Sequence, residues 1–199
     1  MLRFTIIAAA LAISACDPEI QTTSGRAYLA AGGIEETVGA NYEPNLKFPA
    51  RIGVVRLVYG RLSNMPDKER ELYLEDMSDS LGTLVHLGPL EAQMAELNRY
   101  GSLGQMEIRQ LAASRHLDYV MVLSFDPGKN SAEALFLDVR NGYPYASIEA
   151  NPPGRGRKNF WGNRLNNQSR LNNATYRLAV HLKPELEMMA TGLVEAAAK

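Results

Sequence analysis

From Arg51 the chain reads Arg-Ile-Gly-Val-Val-Arg-Leu-Val-Tyr, a β-branched stretch in which apolar residues do not alternate with polar ones. Such continuity suits a strand covered on both faces, so residues 51–59 are predicted as a buried strand. Ser63 and Asn64 then precede Pro66, which signals a helix start. In the helix that follows, Tyr73, Met77, Leu81 and Leu84 form one apolar stripe. Residues 85–88 read as a short strand. Leu90, Met94 and Leu97 line one short helix, and Leu103, Ile108, Leu111 and Ala112 a second.

Residues 118–125, Asp-Tyr-Val-Met-Val-Leu-Ser-Phe, make the second strong strand. Residues 132–139 and 143–150 flank Asn141-Gly142, a dipeptide suited to the positive backbone angles of a type I′ hairpin turn. Leu171, Leu178, Leu182, Leu186, Met189 and Leu193 follow at helical spacing. Pro184 falls inside that run and lacks the amide hydrogen that would bond Val180, so a kink or break is expected. The order is β-α-β-α-α-β-β-β-α. It predicts an α/β (α+β) fold: a single domain with helices packed on a mixed sheet.

Ahead of the domain the pattern is different. Arg3 gives a short positive region, and residues 4–15 carry no charge and end in small side chains. This stretch matches a signal peptide and falls short of the roughly 20 apolar residues a bilayer-spanning helix needs. Ile13, Ser14, Ala15 and Cys16 resemble the bacterial lipobox. The resemblance implies cleavage before Cys16 and a covalent diacylglycerol and N-acyl lipid on it. Cys16 is the sole cysteine, which leaves no intramolecular disulfide, Cys-rich zinc site or thiol redox pair. Asp17 resembles the signal that retains lipoproteins in the inner membrane. The expected organisation is therefore a lipoprotein signal peptide at 1–15, a lipidated cysteine and flexible tether at 16–47, and the domain at 48–199. The expected location is the bacterial cell envelope, facing the periplasm, with the inner membrane favoured over the outer.

With 21 basic and 22 acidic residues the net charge is -1, which implies no general attraction to nucleic acid. Charge is unevenly spread, however. Residues 151–173 form a basic loop, with Arg155, Arg157, Lys158, Arg164 and Arg170 around Phe160 and Trp161. Arginines beside the only tryptophan could grip an acidic partner, a lipid headgroup or a glycan. The same residues also suit a solvated loop with Trp161 folded back on the core. Asp67, Glu69, Glu71, Glu75, Asp76, Asp79, Glu91 and Glu96 read as the solvated face of the first helices. They could instead pair with the basic loop, within one molecule or between two copies.

No catalytic residue or metal site is expected, and no cofactor beyond the lipid. His86, His116 and His181 are far apart and stand in no metal-ligand spacing, and the glycines and serines form no nucleotide loop or nucleophile elbow. Asp118 and Asp138 each border a strand. Two carboxylates act as acid and base only where their environments separate their pKa values; otherwise such residues cap turns or pair with a neighbour such as Arg140.

Three pieces carry a resemblance: residues 51–57 as a first strand, 117–123 as a central strand, and the Leu-Asp-Val-Arg-Asn-Gly hairpin at 137–142. In pattern they resemble the α/β module of the amino-terminal part of TolB, of CsgG and of the LpoB-type activators, over about residues 49–199. That resemblance implies a non-enzymatic, protein-binding or assembly component of an envelope or secretion complex. Its partner would be another envelope protein or a second copy of itself. No long alternating hairpins suit a transmembrane barrel. The alternatives are an envelope enzyme using the strand-end Asp and His residues, and a glycan- or phospholipid-binding module.

Overall fold

In a computed structural model of the chain, residues 46–94, 104–150 and 168–198 are described. β1 (Ala50–Val58) is the central strand, as its unbroken apolar run predicts. It pairs in parallel with β4 (Tyr119–Asp126) on one side and β3 (Gly82–Leu87) on the other. The two-residue β2 (Arg61–Leu62) turns back antiparallel on the end of β1. β5 (Ser131–Asp138) and β6 (Pro144–Ala150) extend the sheet antiparallel beyond β4. The result is a six-stranded mixed sheet.

Helices cover both faces. Alternation along β1 sends Ile52 and Val54 to one face and Val55 and Leu57 to the other. On the first face Tyr73, Met77 and Leu81 of α1 (Asp67–Leu81) meet Leu178, Leu182, Leu186, Met189 and Leu193 of α4 (Gln168–Ala197). On the second, Ala92 of α2 (Pro89–Met94) and Ile108, Leu111 and Ala112 of α3 (Gln105–Ser114) pack against Val120, Val122, Leu135 and Leu137. Truncating one of these leucines to alanine typically costs roughly 2–5 kcal/mol. Leu46 and Phe48 also pack against the first core.

Several sequence expectations change. Leu84 belongs to β3, because the α1 helix ends at Leu81 and the backbone turns at Gly82, whose φ is 109°. Leu90 does not line a core; it is 64% exposed, and Ala92 is buried in its place. Met94, Leu97 and Leu103 carry expectations whose side chains lie outside the described residues. The Asn141-Gly142 turn is not type I′, since only Gly142 takes a positive φ, 77°. Asp138 Oδ1 caps the loop instead, accepting the Arg140 and Asn141 amides at 2.7 and 3.3 Å, and Gly142 N–H returns to Asp138 O at 2.9 Å. Pro184 does not break α4. It lies on the exposed side of the helix with Val180, where water can replace the amide that proline lacks. The basic loop is also shorter than expected, because α4 is already formed at Gln168.

Candidate functional site

The starts of β1 and β4, the end of α3 and the β5–β6 hairpin meet at one rim of the sheet. Asp118 lies at its centre. Its Oδ2 accepts the Arg51 amide at 3.0 Å, and its Oδ1 stands 3.9 Å from Arg140 Nη2. Arg51 Nη1 reaches back to the His116 carbonyl at 3.3 Å. Arg109, from α3, donates to the carbonyls of Val139 and Arg140 at 3.1 and 2.6 Å and so clamps the hairpin. Beside these groups Phe48, Tyr119, Phe136, Tyr145 and Tyr143 form a chain of ring contacts with centroids 5.1–6.3 Å apart. Tyr119 OH accepts the Lys47 amide at 3.0 Å, which fixes the chain just before β1. Burial raises the Tyr119 pKa, a shift the Lys47 hydrogen bond opposes.

The strand-end carboxylates therefore hold backbone and arginine. Asp118 ties β1 to the end of α3, while Asp138 caps its own hairpin. The histidines do not join them in a common site. His86, on β3, accepts the Met65 amide on Nε2 at 3.2 Å, and its Nδ1 is buried without a hydrogen-bond partner. Burial pushes its pKa down, partly opposed by the Val54 backbone. His116 is exposed beyond α3 with φ 56°, and His181 is exposed on α4. Among the described residues no group of three or more His, Cys, Asp or Glu side chains could hold a metal ion. The shallow cleft between α1 and α4, lined by Leu72, Tyr73, Met77, Lys183, Leu186 and Glu187, has no room for a water molecule.

The most connected polar group among the described residues is one that sequence reasoning missed. Arg56, on the first face of β1, is 2% exposed, and Glu69, in the first turn of α1, is fully buried. Arg56 Nε and Nη2 donate to the two Glu69 carboxylate oxygens at 2.6 and 2.9 Å. Nη2 also reaches Thr175 Oγ1 of α4 at 2.9 Å, and Nη1 reaches Ser63 Oγ at 2.8 Å and Asn64 O at 3.3 Å. The guanidinium lies over the Phe125 ring, 5.5 Å from its centroid. One side chain thus joins β1, α1, α4 and the β2–α1 connection. Glu69 is accordingly not on the solvated acidic face expected for it, because a buried arginine needs a partner inside. Asp67, Glu71 and Asp79 are exposed as expected, while Glu91 accepts the Gly88 amide at 2.9 Å. The side chains of Glu75, Asp76 and Glu96 lie outside the described residues. So do Ile13, Ser14, Ala15, Cys16 and Asp17, and Arg155, Arg157, Lys158, Phe160, Trp161 and Arg164 of the basic loop.

These elements define a single mixed α/β domain, a three-layer arrangement with one sheet between two helical layers. No family model and no curated protein matches the chain. Solved structures that match include the C-terminal domain of LpoB from Salmonella enterica, 13% identical with a TM-score of 0.35, over 50% of this chain and 80% of that one. Lipoprotein GNA1162 from Neisseria meningitidis is 17% identical with a TM-score of 0.36, over 67% and 98%. The PelC dodecamer from Paraburkholderia phytofirmans is 16% identical with a TM-score of 0.33, over 72% and 93%. At such scores and identities these likenesses carry no argument about what the chain does.

Proposed function

We propose that the protein is a lipid-anchored component of the bacterial cell envelope whose α/β domain binds another protein in an assembly or secretion complex. The observation that carries the anchor is Cys16: the only cysteine follows Ile13-Ser14-Ala15 at the end of an uncharged stretch. Acyl chains there would supply membrane affinity at roughly 0.8 kcal/mol per buried methylene, and one chain alone holds only marginally. Asp17 favours the inner membrane, with the domain facing the periplasm. The binding role is supported by the likeness in sequence pattern to the TolB, CsgG and LpoB-type modules. The basic residues Arg155, Arg157, Lys158 and Arg164 with Phe160 and Trp161 are the contact we assign to the partner.

Metabolic labelling with a radioactive fatty acid tests the anchor. Label is expected on the wild type and absent from Cys16→Ser; equal labelling removes the anchor from the reading. Crosslinking in intact envelopes tests the partner. An adduct that disappears in the Arg155→Ala/Arg157→Ala/Trp161→Ala variant is expected, and an undiminished adduct removes the loop as the contact.

A further inference from the structure

We propose that the rim carrying Arg51, Arg115, His116 and Arg140 is a docking surface for an anionic lipid bilayer. The inference rests on the lipid-anchored placement proposed above and adds which side of the domain meets the membrane.

The four residues come from three separate segments, yet the fold brings them together. Arg51 opens β1, Arg115 and His116 follow α3, and Arg140 sits in the β5–β6 hairpin. Arg51 and Arg140 reach the two oxygens of Asp118, at 3.0 Å through the Arg51 amide and 3.9 Å through the Arg140 guanidinium. Arg51 also bonds the His116 carbonyl, and Arg109 bonds the Arg140 carbonyl at 2.6 Å, which fixes the hairpin on α3. All four residues are exposed, with the Arg140 side chain at 83%. Two carboxylates, Asp118, half-exposed at 44%, and Asp138, buried under the hairpin, face the four guanidinium groups of Arg51, Arg109, Arg115 and Arg140. The rim keeps a surplus of positive charge although the whole chain carries -1.

Two further features fit a bilayer as the occupant. The chain enters the domain at this rim: Lys47, exposed and three residues before β1 begins at Ala50, is held by its amide to Tyr119 OH, and β1 pairs Ile52 with Tyr119. Any anchor upstream of residue 46 therefore joins the domain beside the basic surface. Tyr143, 40% exposed and packed edge-on against Tyr145, adds an amphipathic aromatic of the kind that sits at headgroup level. Guanidinium groups donate in pairs to phosphate oxygens, and each basic residue close to an anionic surface adds attraction that decays within a Debye length.

The test is flotation of the full chain carrying Cys16→Ser, which cannot be acylated, with two vesicle types. One holds equal parts phosphatidylglycerol and phosphatidylcholine; the other is phosphatidylcholine alone. The same background receives Arg51→Ser/Arg115→Ser/Arg140→Ser, or a control of equal charge loss away from the rim, Arg61→Ser/Lys68→Ser/Arg177→Ser. Residues 1–15 are common to all three chains, and thermal melting followed by circular dichroism shows that each is folded. Partition onto the anionic vesicles is expected to fall on the order of a hundredfold in the rim variant, to hold in the control, and to weaken with salt. Equal binding of the parent to both vesicle types overturns the proposal. So does a rim variant that binds like its parent, the outcome expected if this surface serves an acidic protein instead. Fatty-acid labelling of the wild type reports separately on Cys16, so failure of the anchor and failure of the rim are distinguishable.

Discussion

Replacing Glu69 by alanine removes the carboxylate that receives two of the Arg56 hydrogen bonds, at 2.6 and 2.9 Å. The guanidinium keeps Ser63 Oγ, Thr175 Oγ1 and the Asn64 carbonyl, all neutral acceptors, while its side chain stays 3% exposed. A buried charge stripped of its counter-ion typically costs roughly 3–5 kcal/mol. In a domain of this size each kcal/mol lowers Tm by about 2–4 °C, so a drop of roughly 6–20 °C is expected. Arg56→Met should be similarly costly, because it leaves the Glu69 carboxylate buried with the Thr175 hydroxyl as its remaining donor. The double variant Arg56→Met/Glu69→Leu removes both charges and fills the space with apolar side chains. It should be less destabilised than either single variant, and such replacements are often neutral or stabilising by roughly 1–4 kcal/mol. With Glu69→Leu as the matching single variant, urea unfolding followed by far-ultraviolet circular dichroism measures all four corners of the cycle. A Glu69→Ala cost below about 1 kcal/mol, or a double variant whose cost equals the sum of the singles, refutes the pairing as described.

Four further outcomes follow from single groups. Tyr73 is 1% exposed and its hydroxyl is buried without a partner, its ionisation pushed far up by burial and by Glu69; Tyr73→Phe should therefore keep or raise the unfolding free energy from urea titration, by about 1 kcal/mol. A Cβ on Gly82 would stand 2.5 Å from the Ala50 carbonyl oxygen at φ 109°, so Gly82→Ala should cost more than about 3 kcal/mol or prevent folding, read by thermal melting. His86 is held neutral by burial, so the folded chain takes up its proton less readily than the unfolded one; stability should be full above the ordinary value of 6.5 and fall as pH drops through the lowered folded value. In His86→Gln that part of the urea-midpoint profile should flatten. Glu133 has its pKa raised by burial and by Glu149 opposite it on β6, so its charged form destabilises the fold at neutral pH. Glu133→Gln should raise the neutral-pH unfolding free energy by roughly 0.2–1 kcal/mol, a gain that disappears below the ordinary carboxylate value of 4.5.

The order of elements is legible in the sequence because the strongest patterns coincide with the most buried elements. β1 and β4 are covered on both faces, which leaves long apolar runs, and five of the six leucine or methionine positions that define α4 are buried. Boundaries are less legible. Leu84 fits both a helical and a strand period, and only the positive φ at Gly82 separates α1 from β3. The two-residue β2 has no period to detect. The hairpin loop keeps its Asn-Gly signature but takes its shape from the Asp138 side chain, a contact that pair statistics for the turn do not contain.

The Arg56–Glu69 pair lay within reach of the same patterns. Strand alternation puts Arg56 on the face of Ile52 and Val54, since all are separated by even steps. Four-residue steps put Glu69 in line with Tyr73, Met77 and Leu81, the buried row of α1. Each charge therefore falls on an apolar period, and each alone would be costly to bury. Opposite charges intruding on the facing periods of two neighbouring elements satisfy one another, and Thr175 intrudes in the same way on the buried row of α4. The rim arginines leave no such trace. Arg51, Arg115 and Arg140 sit where strands and a helix begin or end, so no period marks them and only the sheet topology brings them together.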